Sequence, residues 1–469
     1  MNRIAQRVAP LLAALLLVAC STVPVLKPAP LEMPAAYKEA AASGVWQLAA
    51  PADAQQRGQW WLAFKDPALT ALIDEATRAN ASLAVAAARV KQARALAGLS
   101  ESERSLQLGA GLGARRTGAD GVNAATQYQA RLSASYEVDL FGGVGANVSA
   151  SRADAAASTA KYHSVLLSLQ ADVAQTYFRL RATDAELETL ARSVDLRTQG
   201  VKVNQSRFDN GDIGEFDLAR AKTELANARA EAIGLQRQRV QTEHALAVLL
   251  GKPAAMFSAA AGPLPETLTL PLIPAGVPSL LLQRRPDIVA AQRAMVASNA
   301  RIGVAKAARF PSLMLDGGLG TDAASASNLF KWNAHSWVLG AVMSLPILDG
   351  GRNKANIARS EAVLEESVAA YRQNVLVAFA EVEDNLAGLR ILAGQAEQVD
   401  AAVVSARRSA DLAQKLYRAG RSSYLDLLDA QRNLAAVERS EVLLRGDRAV
   451  TTVALIRSLG GGWDQVALK

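Results

Sequence analysis

The sequence predicts a mainly α protein that also carries a membrane β-barrel sheet, arranged as a duplicated helix–strand–strand–helix–helix unit with four strands per chain. Three observations lead there: an alanine-rich composition, a seven-residue apolar repeat in two very long segments, and four segments of polar–apolar alternation. Half of the 469 residues are apolar but only 5% are aromatic. Alanine and leucine interspersed with Lys, Arg, Glu and Gln build long helices rather than aromatic-rich compact cores.

Residues 1–19 read as a signal segment and stand outside the fold. Arg3 and Arg7 supply its positive start, and Val8 to Val18 is an apolar run too short to span a bilayer as a helix. It ends in Leu17-Val18-Ala19-Cys20, which resembles the lipobox of bacterial lipoproteins; cleavage before Cys20 frees its thiol and amine for acyl chains. Cys20 is the only cysteine, so no disulfide competes for it. Ser21 follows, and the lack of Asp there, by analogy with other lipoproteins, directs the chain to the outer membrane. Residues 20–62 form a lipidated, proline-dotted segment that can wrap the helices. No later stretch is apolar enough for a transmembrane helix.

The first repeat, 63–252, opens with a helical stretch and then alternates. Leu106, Leu108, Ala110, Leu112 and Ala114 form one apolar series, and Tyr128, Ala130, Leu132, Ala134, Tyr136 and Val138 the next, between the polar residues of Gln127 to Asp139. Strands that are apolar on one side and polar on the other, at this length, suit a membrane barrel with a wet interior; the alternative is a soluble sheet with one buried face. After Gly143 a helix runs towards Phe208, with Leu166, Val173, Leu180, Leu187, Val194 and Val201 seven apart, the seam of helices packed in coiled-coil fashion. Some 65 residues make a rod of about 95 Å. Asn210-Gly211-Asp212 reverses the chain, and a return helix bearing Leu218, Leu225 and Leu235 ends at Leu250-Gly251.

A proline-rich connector, 253–286, leads to the second repeat, 287–469. Sliding the sequence by 209 residues (355 − 146) lays Ala146-Asn147-Val148 on Ala355-Asn356-Ile357, Leu180-Arg181 on Leu389-Arg390, Phe208 on Tyr417, Gly211 on Gly420, and Asp217-Leu218 on Asp426-Leu427. The seam recurs as Val375, Val382, Leu389, Ala396, Val403 and Ala410. Alternation recurs in Leu313, Leu315 and Leu319, then in Trp337, Leu339, Ala341, Met343 and Leu345. Four strands cannot close a membrane barrel, whose smallest forms have about eight, and open edges are not tolerated in lipid. Several copies must combine; the pattern alone does not choose two, three or four.

Asp139-Leu-Phe-Gly142, Leu249-Leu-Gly-Lys-Pro253, Arg284-Arg-Pro-Asp-Ile288, Ala300-Arg-Ile-Gly303, Phe310-Pro-Ser312, Leu345-Pro-Ile-Leu-Asp-Gly-Gly-Arg352 and Tyr424-Leu-Asp-Leu-Leu-Asp-Ala-Gln-Arg432 cover most of the mature chain in order. With them the sequence resembles the TolC-type outer-membrane efflux proteins, in the lipoprotein branch serving RND-type multidrug pumps. The resemblance implies a homotrimer with a 12-stranded barrel on a long α-helical barrel, lipid-anchored in the outer membrane and reaching into the periplasm. The implied partners are a periplasmic adaptor and an inner-membrane RND-type transporter, and the cargo is small toxic compounds or drugs. It further implies that the second hairpin closes the periplasmic aperture: Asp426 and Asp429 match the acidic positions ringing the constriction, and Tyr417 and Arg432 match residues whose contacts hold it shut. Where some members carry a basic latch this chain has Ser422, so that bond is not carried over.

Other functions find little footing. The formal charge of +7 becomes +5 once Arg3 and Arg7 are removed (7 − 2), and the basic residues are scattered among acidic ones without a block, which excludes a nucleic-acid footprint. Gly109-Ala-Gly-Leu-Gly-Ala114 fits a dinucleotide fingerprint, but it sits within an alternating strand instead of opening a helix. His163, His244 and His335 lie far apart, so neither a metal site nor a cofactor is expected beyond the lipid on Cys20. No catalytic constellation appears, and the reading is of a non-enzyme. The competing functions are a type I protein-secretion conduit and a non-pore periplasmic coiled-coil lipoprotein; the latter needs no amphipathic strands.

Overall fold

The structure, a computed structural model, describes residues 22–26, 34, 36–39, 59–120, 122–265, 270, 271, 273 and 284–461. The signal segment, Cys20 and part of the connector lie outside the described residues. After a 3-10 turn at Trp60–Phe64 come α1 (Pro67–Ala79), α2 (Ala81–Ser102), β1 (Gln107–Ala119), β2 (Val122–Val138), α3 (Gly143–Asp209) and α4 (Glu215–Leu249). Then follow α5 (Pro286–Ala307), β3 (Ser312–Ala323), β4 (His335–Ser344), α6 (Arg352–Arg418) and α7 (Tyr424–Ser458). Helices α3 and α6 both have 67 residues, and α4 and α7 both have 35. Two compact units result, one from Met1–Leu31, Ala87–Lys161 and Asp287–Asn374, the other from Glu32–Ala86, Tyr162–Pro286 and Val375–Lys469.

The first unit holds the sheet. Its four strands pair antiparallel in the order β1-β2-β3-β4, leaving β1 and β4 as edges. Directly paired residues share a face, so the register joins the alternating series into rows. Leu108, Ala134, Gly317 and Leu339 make one row, Ala110, Leu132, Leu319 and Trp337 the next, and Val138, Leu313 and Met343 a third. Opposite lie Gln107, Ser135, Asp316 and Gly340, and Gly111, Arg131, Gly320 and Ser336. A soluble sheet would bury the apolar side. Here Leu108, Leu112, Trp337 and Leu339 are each more than three-quarters exposed, at 76, 82, 78 and 79%. Both β1 and β2 outrun the alternation: β1 continues past Ala114 through Arg115, Arg116 and Thr117, and β2 begins five residues before Gln127 (127 − 122). Backbone pairing between the two strands carries the ladder where side-chain contrast stops.

The second unit holds the main core. Trp60, Trp61 and Phe64 dock on α3, where the Phe64 and Phe178 rings lie 5.0 Å apart, and Leu69 and Ile73 of α1 are fully enclosed beside Leu180, Leu246 and Ile456. Asp66 caps α1 by accepting from the backbone N–H groups of Ala68 (2.9 Å) and Leu69 (3.1 Å), and its other oxygen accepts from the Tyr177 hydroxyl at 2.7 Å. The seven-residue seam marks the inward side of both long helices: Val173, Leu180, Val375, Val382, Val403 and Ala410 are buried, and no seam position is exposed. Alanine lets the helices approach closely; a Cβ at Gly446 would stand 2.6 Å from that of Ala182.

Each hairpin turns on a left-handed glycine. Gly211 (φ 78°) and Gly420 (φ 69°) follow the long helices, and the next residues close the turn by donating five residues back, Asp212 to Arg207 O at 2.8 Å and Arg421 to Leu416 O at 2.9 Å. Gly251 (φ 70°) ends α4 under a second restriction, since a Cβ there would lie 2.3 Å from the Ala79 carbonyl oxygen, whereas Gly211 faces open space. Gly211→Ala should therefore cost about 1–2 kcal/mol, the strain of the left-handed region alone. Gly251→Ala should cost more than about 3 kcal/mol, because backbone must also move. Thermal unfolding of the two variants in detergent measures the difference; equal melting shifts would refute it.

Candidate functional site

The site expected at the end of the second hairpin lies within the second unit, around the turn from α6 to α7. Ser423 is the N-cap of α7: its Oγ accepts from the Asp426 backbone N–H at 3.2 Å, while the Asp426 carboxylate accepts from the Ser423 backbone N–H (2.9 Å) and hydroxyl (2.7 Å). This reciprocal capping box holds the exposed Asp426 carboxyl below the usual carboxylate range, the Ser423 hydroxyl being the main cause. Asp426 thus has a local task of fixing the first turn of α7. At Ser422 the side-chain oxygen is enclosed and makes no hydrogen bond among the described residues.

Two residues reach across to the first hairpin. The Tyr417 hydroxyl donates to Oδ1 of Asn204, a fully buried residue of α3, at 3.0 Å; its ring lies 5.8 Å from that of Tyr424 and carries the Arg207 guanidinium at 5.2 Å. Arg432 grips Glu224 of α4 with two nitrogens, Nε donating to Oε2 at 3.0 Å and Nη2 donating to Oε1. Glu224 also receives Arg197 of α3, whose Nη1 donates to the same Oε2 at 2.9 Å and to the Glu224 backbone oxygen at 3.1 Å. One buried carboxylate therefore serves two guanidinium groups. Its acidity follows: the Arg432 hydrogen bonds first, then the charges of Arg432, Arg197 and Arg220, hold the Glu224 carboxyl below its ordinary value despite burial. The Arg432 guanidinium is correspondingly held even more firmly protonated by Glu224. Asp429 is mostly exposed and stands 3.8 Å from Arg432 Nη1, one turn away on the same helix face.

A second rung lies seven residues farther along both return helices. Arg439 reaches Glu231 of α4, as Arg432 reaches Glu224, and also bonds the buried Glu186 of α3. Both rungs are 208 residues apart in sequence (432 − 224 and 439 − 231), so α4 and α7 run side by side in the same direction. Of the expected site residues, Tyr417 and Arg432 meet the first hairpin, Asp429 accompanies Arg432, and Asp426 turns back on its own cap. Sequence reasoning missed Asn204, Arg197, Glu224 and the Arg439 node. Their one readable signal is the matched spacing, Glu-x6-Glu on one return helix and Arg-x6-Arg on the other.

A sequence model of the family described as "Outer membrane efflux protein" matches residues 72–252 and 277–461. The chain is 32% identical over 423 residues to the cation efflux system protein CusC of Escherichia coli, covering 88% of this chain and 90% of that protein. It is 33% identical over 464 residues to the pyoverdine export outer membrane protein OpmQ of Pseudomonas aeruginosa, covering 96% of each. Among solved structures, a membrane protein from Pseudomonas aeruginosa superposes with a TM-score of 0.86 at 31% identity, over 96% of this chain and 99% of that one.

The Glu224 geometry carries a pH signature. A carboxyl with a depressed folded pKa contributes stability that is complete above its unfolded value, near 4.5, and is lost as pH falls through the lower folded value. The stability difference between the natural chain and Glu224→Gln should stay level from neutral pH to about 5 and shrink below about 4. Denaturant melts of both proteins across that range test this; a difference that fades between pH 7 and 5 would contradict it.

Proposed function

Because the chain belongs to the outer membrane efflux protein family, we propose that it is the outer-membrane conduit of a tripartite system, receiving small toxic compounds or drugs from an inner-membrane RND-type transporter through a periplasmic adaptor. The observation that carries this reading is the four-stranded sheet whose apolar face is exposed and whose two edges are unpaired among the described residues. In hydrocarbon the bare face is satisfied by acyl chains, but each free edge leaves backbone N–H and C=O groups without partners, at several kcal/mol each. Edge β1 of one copy pairing with edge β4 of the next removes that cost. Three copies supply 12 strands (3 × 4), an even number of the kind such barrels use. Phe330 and Trp332, strongly exposed between β3 and β4, suit an aromatic girdle at a membrane boundary. The equal element lengths in the two halves fit an internally duplicated chain.

Cargo is left at the level of class. CusC and OpmQ match this chain about equally and are named for different exports, so overall similarity does not select a compound. A wide conduit passes what the transporter selects. Cys20 anchors the assembly through its acyl chains, while the strands hold it in the bilayer. At the periplasmic end, Tyr417 and Arg432 keep the second hairpin against the first, and threefold symmetry gathers Asp429 with Asp426 around one axis. Like charges converging there repel unless cations or arginines intervene, so the aperture favours cations and responds to salt.

Native mass measurement in detergent should give three copies; a monomer that conducts would remove the barrel reading. Labelled palmitate should enter the natural protein and be absent from Cys20→Ser, and label persisting in that variant would place the lipid elsewhere. Asp429→Asn should weaken divalent-cation block of single channels while leaving the α7 cap intact. Unchanged block would move the constriction away from Asp429.

A further inference from the structure

We propose that Arg197 is a second gating residue, which takes over Glu224 when Arg432 leaves, so that the aperture opens by exchanging ion-pair partners instead of by breaking an ion pair. This rests on the reading of the second hairpin as the gate. The geometry has the parts of an exchange. Glu224 Oε2 is already shared, with Arg197 Nη1 at 2.9 Å and Arg432 Nε at 3.0 Å, while among the described residues Oε1 is bonded by Arg432 alone. Arg197 is thus held to one oxygen and to the backbone carbonyl, although its planar fork can grip both oxygens of a carboxylate. Removing Arg432 vacates Oε1 and completes that grip. The departing Arg432 keeps a counter-ion of its own in Asp429, 3.8 Å away on the same helix.

The exchange matters because Glu224 is only 8% exposed in its side chain. A buried carboxylate stripped of its partner is strongly unfavourable, and a gate resting on one such pair would be hard to open. With Arg197 in α3 and Glu224 in α4, the replacement partner belongs to the first hairpin and stays there while α7 moves away. No charge is left bare at either end. The Arg439 node one heptad farther along has no such spare: Glu231 is paired with Arg439 on the moving helix, and Arg439 also holds Glu186. That rung is accordingly the pivot, and the Arg432 rung is the one that opens.

The sign of one substitution separates an exchange from a simple clamp. If Arg197 only helped to hold the hairpins together, its removal would ease opening. As an exchange partner, its removal hinders opening, because the open state loses more than the closed one. In single-channel recordings of the full-length protein, Arg432→Met and Glu224→Gln should raise the open probability. Arg197→Met should lower it, by roughly three- to tenfold as for a half-buried charged pair. Arg197→Lys, which keeps the charge but not the fork, should fall between. In the Glu224→Gln background Arg197→Met should have no further effect. An unchanged or raised open probability in Arg197→Met, or a decrease that survives Glu224→Gln, overturns the exchange. Should Arg432→Met and Glu224→Gln themselves leave opening unaltered, the gate reading fails first.

Discussion

The free edges of a four-stranded sheet govern everything else about this chain. Outside a membrane such a sheet would fold its apolar rows onto helices and leave its edges to water. Here Leu108, Leu132, Leu319 and Trp337 are exposed, and among the described residues β1 and β4 end the sheet with unpaired backbone. Lipid tolerates the first condition and forbids the second. On the proposed reading, further copies of the chain complete the sheet by pairing edge to edge. An apolar face that solvent would punish and an edge that lipid would punish together leave the closed barrel as the arrangement that satisfies both.

The helical part faces a different difficulty. Seams rich in alanine and valine pack closely, but they are nearly uniform along their length, and uniform seams specify register poorly. Gly446 against Ala182 shows how near the backbones come, and such contacts could repeat one heptad up or down. Charged residues remove the ambiguity. Arg432 on Glu224 and Arg439 on Glu231 form together in only one alignment of α4 with α7, a slide of one heptad keeping at most one such pair, and Glu186 reinforces that alignment from α3. Half-buried ion pairs add little net stability against an apolar alternative, since desolvation offsets attraction. Their contribution is positional.

Much of this was legible in the residues. The seven-residue series located the long helices because burial repeats at that interval, and Gly211 and Gly420 marked the reversals because only glycine sits there without strain. The strands were legible through Val138 and Leu319, yet the start of β2 at Val122 was not. Asn123 to Thr126 carry no apolar contrast, and pairing with β1 frames the stretch, Ala125 and Thr126 opposite Thr117 and Arg116 and Val122 opposite Ala119, with a register shift between. In the site, Ser423-x-x-Asp426 is a readable capping pattern, although the family resemblance alone assigned Asp426 to the ring. Glu224 was invisible because nothing local distinguishes it from the other glutamates of a solvated helix. Its significance comes from Arg197 and Arg432, which lie 27 and 208 residues away (224 − 197 and 432 − 224).

The halves of the chain diverge where the site lies. At the offset of 209, Glu224 corresponds to Asn433, Arg197 to Ala406, Asn204 to Ala413, Arg432 to Thr223 and Tyr417 to Phe208. Every partner in the Tyr417 and Arg432 links has a counterpart that cannot make the same bond. Were the links present in both halves, each hairpin would hold its neighbour alike. With the bonds written once, the first hairpin carries the acceptors Asn204 and Glu224, and the second carries the donors Tyr417 and Arg432. The caps differ in the same sense: α4 begins at Gly214 without a side-chain cap, whereas α7 is fixed by Ser423 and Asp426. The second hairpin therefore has a firm end of its own, and side chains on it make the links to the first hairpin. The two halves match in the lengths of their helices and lose equivalence at these five positions, which confines these bonds to a single set per chain.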